Sequence, residues 1–410
     1  MAVLFFINQY ASTPENGFAG RYYYLAKELN EKGSRAILVT SSNHHLLREP
    51  VEFKGLWHWA VFDGLPILWL KTFKYKKANS PIRVLNWFLF AFYMPFLSLL
   101  KVTPSAYHYS SPSPVGFIGV WLLGKLKGVS TCFDVRDVWP ETLVEIGGVS
   151  EHHIFIKFLY RVESFCYRKA DRITSNLANF NLRLSELGMP MDKFTWVPNG
   201  ISLKDIQESY GHSNIKLPSE VSGKFVIGYT GTFGEANALD KLLDLAEYLI
   251  DDKEIMFLLV GHGKDRVGLE EQCRLKKLTN VVFHSAVPKK DIYKLQKQCD
   301  VLCVGAKESP LYRYGVAANK LYEYIYAGVP VLYYINTPNY HPVSDSGSGI
   351  EVPLGDVVRL ASAIYRMKAM SIDELSNLET NAKAYVEKYH LYSSISNKLV
   401  TESLFGSRRK

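Results

Sequence analysis

Short, wholly apolar runs alternate with longer stretches of helical period along most of this chain. In the first half Ala2–Asn8, Ala36–Thr40, Ala106–Tyr109, Thr131–Val135, Arg172–Ser175 and Thr195–Val197 read as strands. Arg21–Glu31, Gly116–Leu126, Ile154–Lys169 and Leu177–Leu187 read as helices between them. A second alternation places strands at Phe225–Tyr229, Ile255–Val260, Val281–Phe283, Val301–Val304 and Val329–Tyr334. Its helices are Leu239–Asp251, Lys264–Lys277, Lys289–Gln298 and Asn319–Ala327. Strands with no polar side are covered on both faces, so the pattern predicts an α/β fold with parallel, doubly wound sheets. The polar stretch Asp205–Lys224, with Gly211, Pro218 and Gly223, interrupts the alternation and reads as a linker. The expected organisation is a Rossmann-like domain over 1–204, a linker over 205–224, a second Rossmann-like domain over 225–380, and a helical segment over 381–410 that packs back on the first domain. Two such domains predict a cleft lined by the carboxyl ends of their strands.

Composition narrows the class. Of the 410 residues 47% are hydrophobic, which excludes a disordered chain. Five cysteines, none in a C-x-x-C pair, argue against a disulfide framework or a thiolate zinc site and for a reduced, cytoplasmic protein. The apolar start Met1–Ile7 has no basic residue before it and runs into Asn8 and Gln9, so it reads as a buried strand, not a signal peptide. The net charge of +8 is local: Gly64–Phe133 has no Asp or Glu and carries Lys71, Lys74, Lys76, Lys77, Arg83, Lys101, Lys125 and Lys127. That excess points to an anionic partner. Within it Val84–Leu100 is uncharged and includes Trp87, Phe88 and Phe92. It is short for a span and contains Pro95, so it reads as a helix in the membrane interface with Lys74, Lys76, Lys77 and Arg83 facing acidic lipid. A core helix under a basic surface is the other reading. A nucleic-acid partner is disfavoured because no recognition motif accompanies the charge.

Glycine-rich turns follow several strands. Gly17 and Gly20-Arg21 lie between the first strand and first helix, where backbone N–H groups can meet an anion, although the spacing is not that of a dinucleotide fingerprint. Gly228-Tyr-Thr230-Gly231-Thr232, Gly261-His-Gly263 and Ser285-Ala-Val287 end strands of the second half. The densest cluster runs from Lys307 through Arg313 and Gly315 to Asn319, Lys320 and Glu323. It offers donors and cations for a diphosphate and, in Glu323, an acceptor for ribose hydroxyls. Asp134, Arg136, Asp137 and Glu141 follow a first-half strand and could orient an acceptor hydroxyl. Scattered histidines and the lack of D-x-D suggest no metal.

These motifs, with Val197-Pro-Asn199-Gly200-Ile201 and Asn319-Lys-Leu-Tyr-Glu323 through Ala327-Gly-Val-Pro330, resemble the retaining GT-B glycosyltransferases of family 4. Asp134–Glu141 and Tyr314–Tyr324 are most similar to the branch that builds bacterial O-antigen and capsule, which includes N-acetyl-L-fucosamine transferases. The resemblance implies a metal-independent enzyme without a cofactor, moving sugar from a nucleotide diphosphate sugar, a UDP-sugar, to a polyprenyl diphosphate-linked saccharide at the inner face of the cytoplasmic membrane. Glu323 would be the second Glu of the family's E-x7-E motif, whereas the first falls at Gly315. Lys320, Arg313 and Lys307 would meet the phosphates; Gly17, Gly20 and Arg21 would approach from the first domain; Thr230, Gly231, Thr232, Gly261, Asn319, Ser285 and Val287 would complete the donor site, the last two against the base. Asp137 would be the acceptor-side residue, then Glu141, with Asp134 and Arg136 beside them. A non-hydrolysing UDP-sugar 2-epimerase, of the same architecture, is the alternative.

Overall fold

The computed structural model describes residues 3–17, 20–75, 77, 80–102, 104–212 and 215–404. The chain folds as two compact units, one of Met1–Asn199 with Tyr314–Ala317 and Tyr392–Lys410, the other of Gly200–Arg313 with Ala318–Leu391.

The first unit runs β1 (Val3–Ile7), α1 (Arg21–Glu31), β2 (Arg35–Ser41), β3 (Trp57–Phe62), β4 (Leu65–Leu70), α2 (Pro81–Phe96), β5 (Ala106–Ser110), α3 (Val115–Lys127), β6 (Ser130–Val135), α4 (Glu141–Glu145), α5 (Ile154–Lys169), β7 (Arg172–Ser175), α6 (Phe180–Glu186) and β8 (Phe194–Trp196). Its eight strands lie in the order β3-β4-β2-β1-β5-β6-β7-β8. Among the described residues, β3–β4 is the only antiparallel pair of these strands. The β3–β4 hairpin is not among the strands read from the sequence. Asp63 and Gly64 turn it, both at positive φ. The strand order reverses beside β1, which pairs with β2 on one side and β5 on the other. A crevice outside the carboxyl ends is expected at such a point. The C-terminal helix Tyr392–Lys398 packs on α1, with Tyr24 and Tyr392 stacked 4.9 Å apart.

The second unit runs α7 (Leu203–His212), β9 (Phe225–Thr232), α8 (Leu239–Tyr248), β10 (Ile255–His262), α9 (Arg266–Leu275), β11 (Val281–His284), α10 (Lys289–Gln296), β12 (Val301–Gly305), α11 (Asn319–Ala327), β13 (Val331–Tyr334) and β14 (Gly349–Glu351). Its six strands, all parallel, lie in the order β11-β10-β9-β12-β13-β14. The order reverses beside β9, which lies between β10 and β12. The stretch read as a linker begins with α7, whose Asp205 pairs with Lys289 of α10 at 3.2 Å.

α2 divides its apolar residues between two faces. Trp87, Phe90, Tyr93 and Met94 are buried. α3 comes so close at Gly119 that a Cβ there would lie 2.0 Å from Ala91 O. Ile82, Leu85, Phe88, Phe92, Phe96 and Leu99 form the opposite, exposed face, at helical spacing. The run Pro81–Leu99 is long and apolar enough to cross a membrane, and a third of it is buried.

Candidate functional site

In the second unit, Gly231 and Gly261 lie side by side one residue before the ends of β9 and β10. Both glycines have positive φ, and a Cβ on Gly261 would fall 1.8 Å from Gly231 O. Side chains are thus excluded from this edge, and backbone is presented instead. Lys320, in the first turn of α11, reaches the same place. Its Nζ donates to Tyr229 Oη at 2.8 Å and Asn237 Oδ1 at 3.1 Å, and lies 4.0 Å from the centroid of the Tyr229 ring. No carboxylate lies within ion-pair distance of it among the described residues, and no side chain caps the α11 N-terminus. Desolvation lowers the Lys320 pKa to about 7, against the pull of Glu323. A half-buried ammonium held by neutral oxygens at the N-terminal turn of a helix has the chemistry of an anion site.

Glu323 lies one turn on and accepts from Tyr293 Oη at 3.2 Å. Burial raises its pKa, with Lys289 opposing. Thr232, Asn319 and Ser285 are exposed at the carboxyl edge, and Val287 is half-buried there. One expectation needs correction. Thr230 is buried: its Oγ1 receives Gln296 Nε2 at 2.9 Å and its N–H donates to Tyr324 Oη at 2.7 Å, so its side chain serves the core. Lys307 is paired with Glu235 at 3.1 Å. Arg313 lies half-buried just before Tyr314.

Gly315 belongs to the first unit's fold and is not an open loop. It is buried at φ +101°, where a Cβ would stand 2.8 Å from the Ala178 backbone N. Tyr314 O accepts from Asn179 N at 3.0 Å alongside. A side chain, and so the expected first Glu of the motif, has no room on this backbone.

The first unit corrects further assignments. Arg21 and Asp134 are buried and face each other at 3.6 Å. The Arg21 guanidinium has no hydrogen-bond partner among the described residues. Asp134 also accepts from Tyr22, from Thr174 at 2.7 Å and from Ser110 at 3.3 Å. Burial opposes its charge, but Arg21, His108 and these bonds outweigh it and hold its pKa at about 2. Both residues are therefore removed from donor and acceptor. Glu141 is held by Arg183 at 3.2 Å and Tyr160 at 3.0 Å, leaving it a structural ion pair. Gly17 is pressed against Leu46 O and Ser12, whereas Gly20 starts α1 with open space around it. Asp137 remains: it reaches solvent, yet protein crowds it enough that desolvation raises its pKa, against the pull of Arg136.

Arg83 and Trp87 do not face outward. Arg83 Nε donates to Tyr10 Oη at 3.2 Å, and its guanidinium lies 5.4–5.9 Å from the rings of Tyr10, Trp87 and Trp139. Trp87 Nε1 donates to the same Tyr10 Oη at 2.6 Å. His45 Nδ1 meets Tyr75 Oη at 3.2 Å beside them. This aromatic group, two residues from Asp137, escaped the sequence reading because its members come from five separate segments. Of the residues read as lipid-facing, Phe88, Phe92 and Lys77 are exposed, Lys74 is exposed and paired with Glu52 at 2.5 Å, and Lys76 lies outside the described residues.

Residues 16–200 match the family of glycosyl transferase 4-like domains, and residues 214–385 match glycosyl transferases group 1. The chain is 25% identical over 338 residues to a Pseudomonas aeruginosa protein named as the glycosyltransferase WbjE, covering 77% of this chain and 81% of that one. It is 20% identical over 280 residues to an Escherichia coli (strain K12) protein named as the colanic acid biosynthesis glycosyl transferase WcaI, covering 66% and 69%. Among solved structures, Anabaena HepE in complex with UDP aligns with a TM-score of 0.64 at 13% identity over 98% of each chain. WaaG, a glycosyltransferase involved in lipopolysaccharide biosynthesis, aligns with a TM-score of 0.66 at 15% identity over 98% of this chain and 100% of its own.

Proposed function

The chain is a glycosyltransferase of GT-B fold, with a 4-like domain followed by a group 1 domain, and from that premise we propose that it moves a sugar, with retention, from a UDP-sugar to a polyprenyl diphosphate-linked saccharide at a membrane surface. The observation that carries the donor half is Lys320, a half-buried ammonium without a carboxylate partner at the glycine edge of β9 and β10. The diphosphate accepts from Lys320 and from the first N–H groups of α11, and Glu323, steadied by Tyr293, takes the ribose hydroxyls. UDP as the nucleotude carrier follows the UDP bound to HepE, a protein of the same fold.

As the bond from the anomeric carbon to the diphosphate oxygen breaks, negative charge grows on the leaving group and Lys320 stabilises it. The acceptor hydroxyl adds to the same face of that carbon, and its proton passes to the departing diphosphate oxygen. Asp137 orients the hydroxyl, and the Tyr10–Trp139 aromatic group holds the acceptor saccharide. The lipid-linked acceptor fits the exposed stripe of α2 and the exposed Lys77 just before it. The relative named for colanic acid biosynthesis supports an envelope polysaccharide as the product.

A thermal-shift screen tests the donor class: UDP-sugars raise Tm, whereas GDP- and dTDP-sugars do not. Equal shifts with all three would overturn the UDP assignment. Flotation with acidic vesicles tests the surface. Binding should weaken at least tenfold in a Phe88→Ser/Phe92→Ser variant, and unchanged flotation would refute it.

A further inference from the structure

A second apolar feature lies at the β3 edge of the first unit's sheet. A pocket of about 490 Å³ is lined by Ile37, Trp59, Val61 and Pro66, with Arg35 and Lys101 at its rim and no carboxylate in its lining. Its volume is in the range of ligand sites. It arises from strand alternation. On β3, Ala60 and Phe62 pack toward the α1 side, which turns Trp59 and Val61 to the other face. β3 is the edge strand, and Trp59 and Val61 remain 40% and 71% exposed. An apolar edge of this kind is ordinarily blunted by charge or covered. Arg35 opens β2 and Lys101 precedes β5, so both cations stand at the amino edge of the sheet. Neither has an ion-pair partner among the described residues, and no acid occurs from Gly64 to Phe133.

The pocket is also the end of a track. α2 starts beyond the carboxyl edge of β4 and returns toward the amino edge, where Leu99 is 73% exposed and Lys101 follows. The exposed stripe from Ile82 to Leu99 thus spans about 25 Å at the helical rise and finishes beside a cationic, apolar hollow. A slot for one hydrocarbon chain with two unpaired cations at its mouth complements an anionic amphiphile. We infer that this pocket binds a single anionic phospholipid of the bilayer, one acyl chain against Trp59 and Val61 and its phosphate on Arg35 and Lys101. The inference deepens the membrane reading above and rests on it for its biological setting.

The test uses the full chain and monomeric dihexanoyl phosphatidylglycerol below its micelle concentration. Trp59 emission is isolated as the difference between wild type and Trp59→Phe. The expected result is a saturable blue shift, at least fivefold weaker with dihexanoyl phosphatidylcholine or in Arg35→Ala/Lys101→Ala, abolished by Val61→Glu, and absent with glycerol phosphate. No shift, or equal affinity for both lipids with the cation variant unaffected, overturns it. Saturation by a short polyprenyl phosphate at tenfold lower concentration would overturn it in favour of the acceptor's own tail. Transfer to a soluble acceptor stays at the wild-type level in these variants. Because the probe is monomeric, lipid binding without vesicle flotation would sink the membrane-surface reading alone, and flotation without lipid binding would sink the pocket alone.

Discussion

Replacing Lys320 by Met keeps the aliphatic stem over Tyr229 and removes the charge. A charge-assisted hydrogen bond contributes about 1.5–3 kcal/mol, so UDP-sugar affinity should fall roughly 10- to 150-fold. The pH dependence is more discriminating. With a pKa of about 7 in the free protein, the protonated fraction of Lys320 drops about tenfold between pH 6 and pH 8. The donor's diphosphate is bound by the protonated form and holds the proton on. Wild-type affinity should therefore weaken about tenfold as pH rises across that window, whereas Lys320→Met should be flat and weak throughout. Titration calorimetry with UDP-sugar and no acceptor measures both. Wild-type binding that is flat from pH 6 to 8, or a Met variant within twofold of wild type, would refute the placement of the diphosphate on this ammonium.

Other residues give independent tests. Gly315→Ala should cost about 1–3 kcal/mol, because φ +101° and the nearby Ala178 N leave no room for a Cβ; an unchanged melting temperature would contradict this, and Gly315→Glu should not raise activity. Arg183→Met strands the buried Glu163, which Arg183 meets at 3.1 Å, and should lose about 3–5 kcal/mol in denaturant unfolding. Asp137→Asn should lower kcat while leaving UDP-sugar affinity unchanged. Since desolvation raises the Asp137 pKa, wild-type kcat should decline as pH falls through a value above the ordinary carboxylate range, and that limb should vanish in the variant; a limb that persists would exclude Asp137.

Most of the parallel strands were legible because they are short apolar runs, though β4 and β14 were not read, and the glycine edge at Gly231 and Gly261 was legible because side chains are excluded there. The faces of α2 were not. When nearly every residue of a helix is apolar, period alone cannot tell Trp87, packed on Trp139 at 5.3 Å, from Phe88 one position on. Asp134 and Asp137 look alike in sequence, but the first lies within β6 and the second beyond its end, which buries one and exposes the other. Gly315 carries a positive φ that local sequence does not reveal, and the neighbours of Lys320 come from β9 and the loop after it.

The most direct measurement is the anomeric configuration of the product formed from a UDP-sugar and a polyprenyl diphosphate-linked saccharide, read from the proton coupling at the new linkage. The account predicts transfer with the donor's configuration kept, and transfer lost in Lys320→Met. An inverted linkage, or release of free sugar with no transfer to the lipid-linked acceptor, would contradict it.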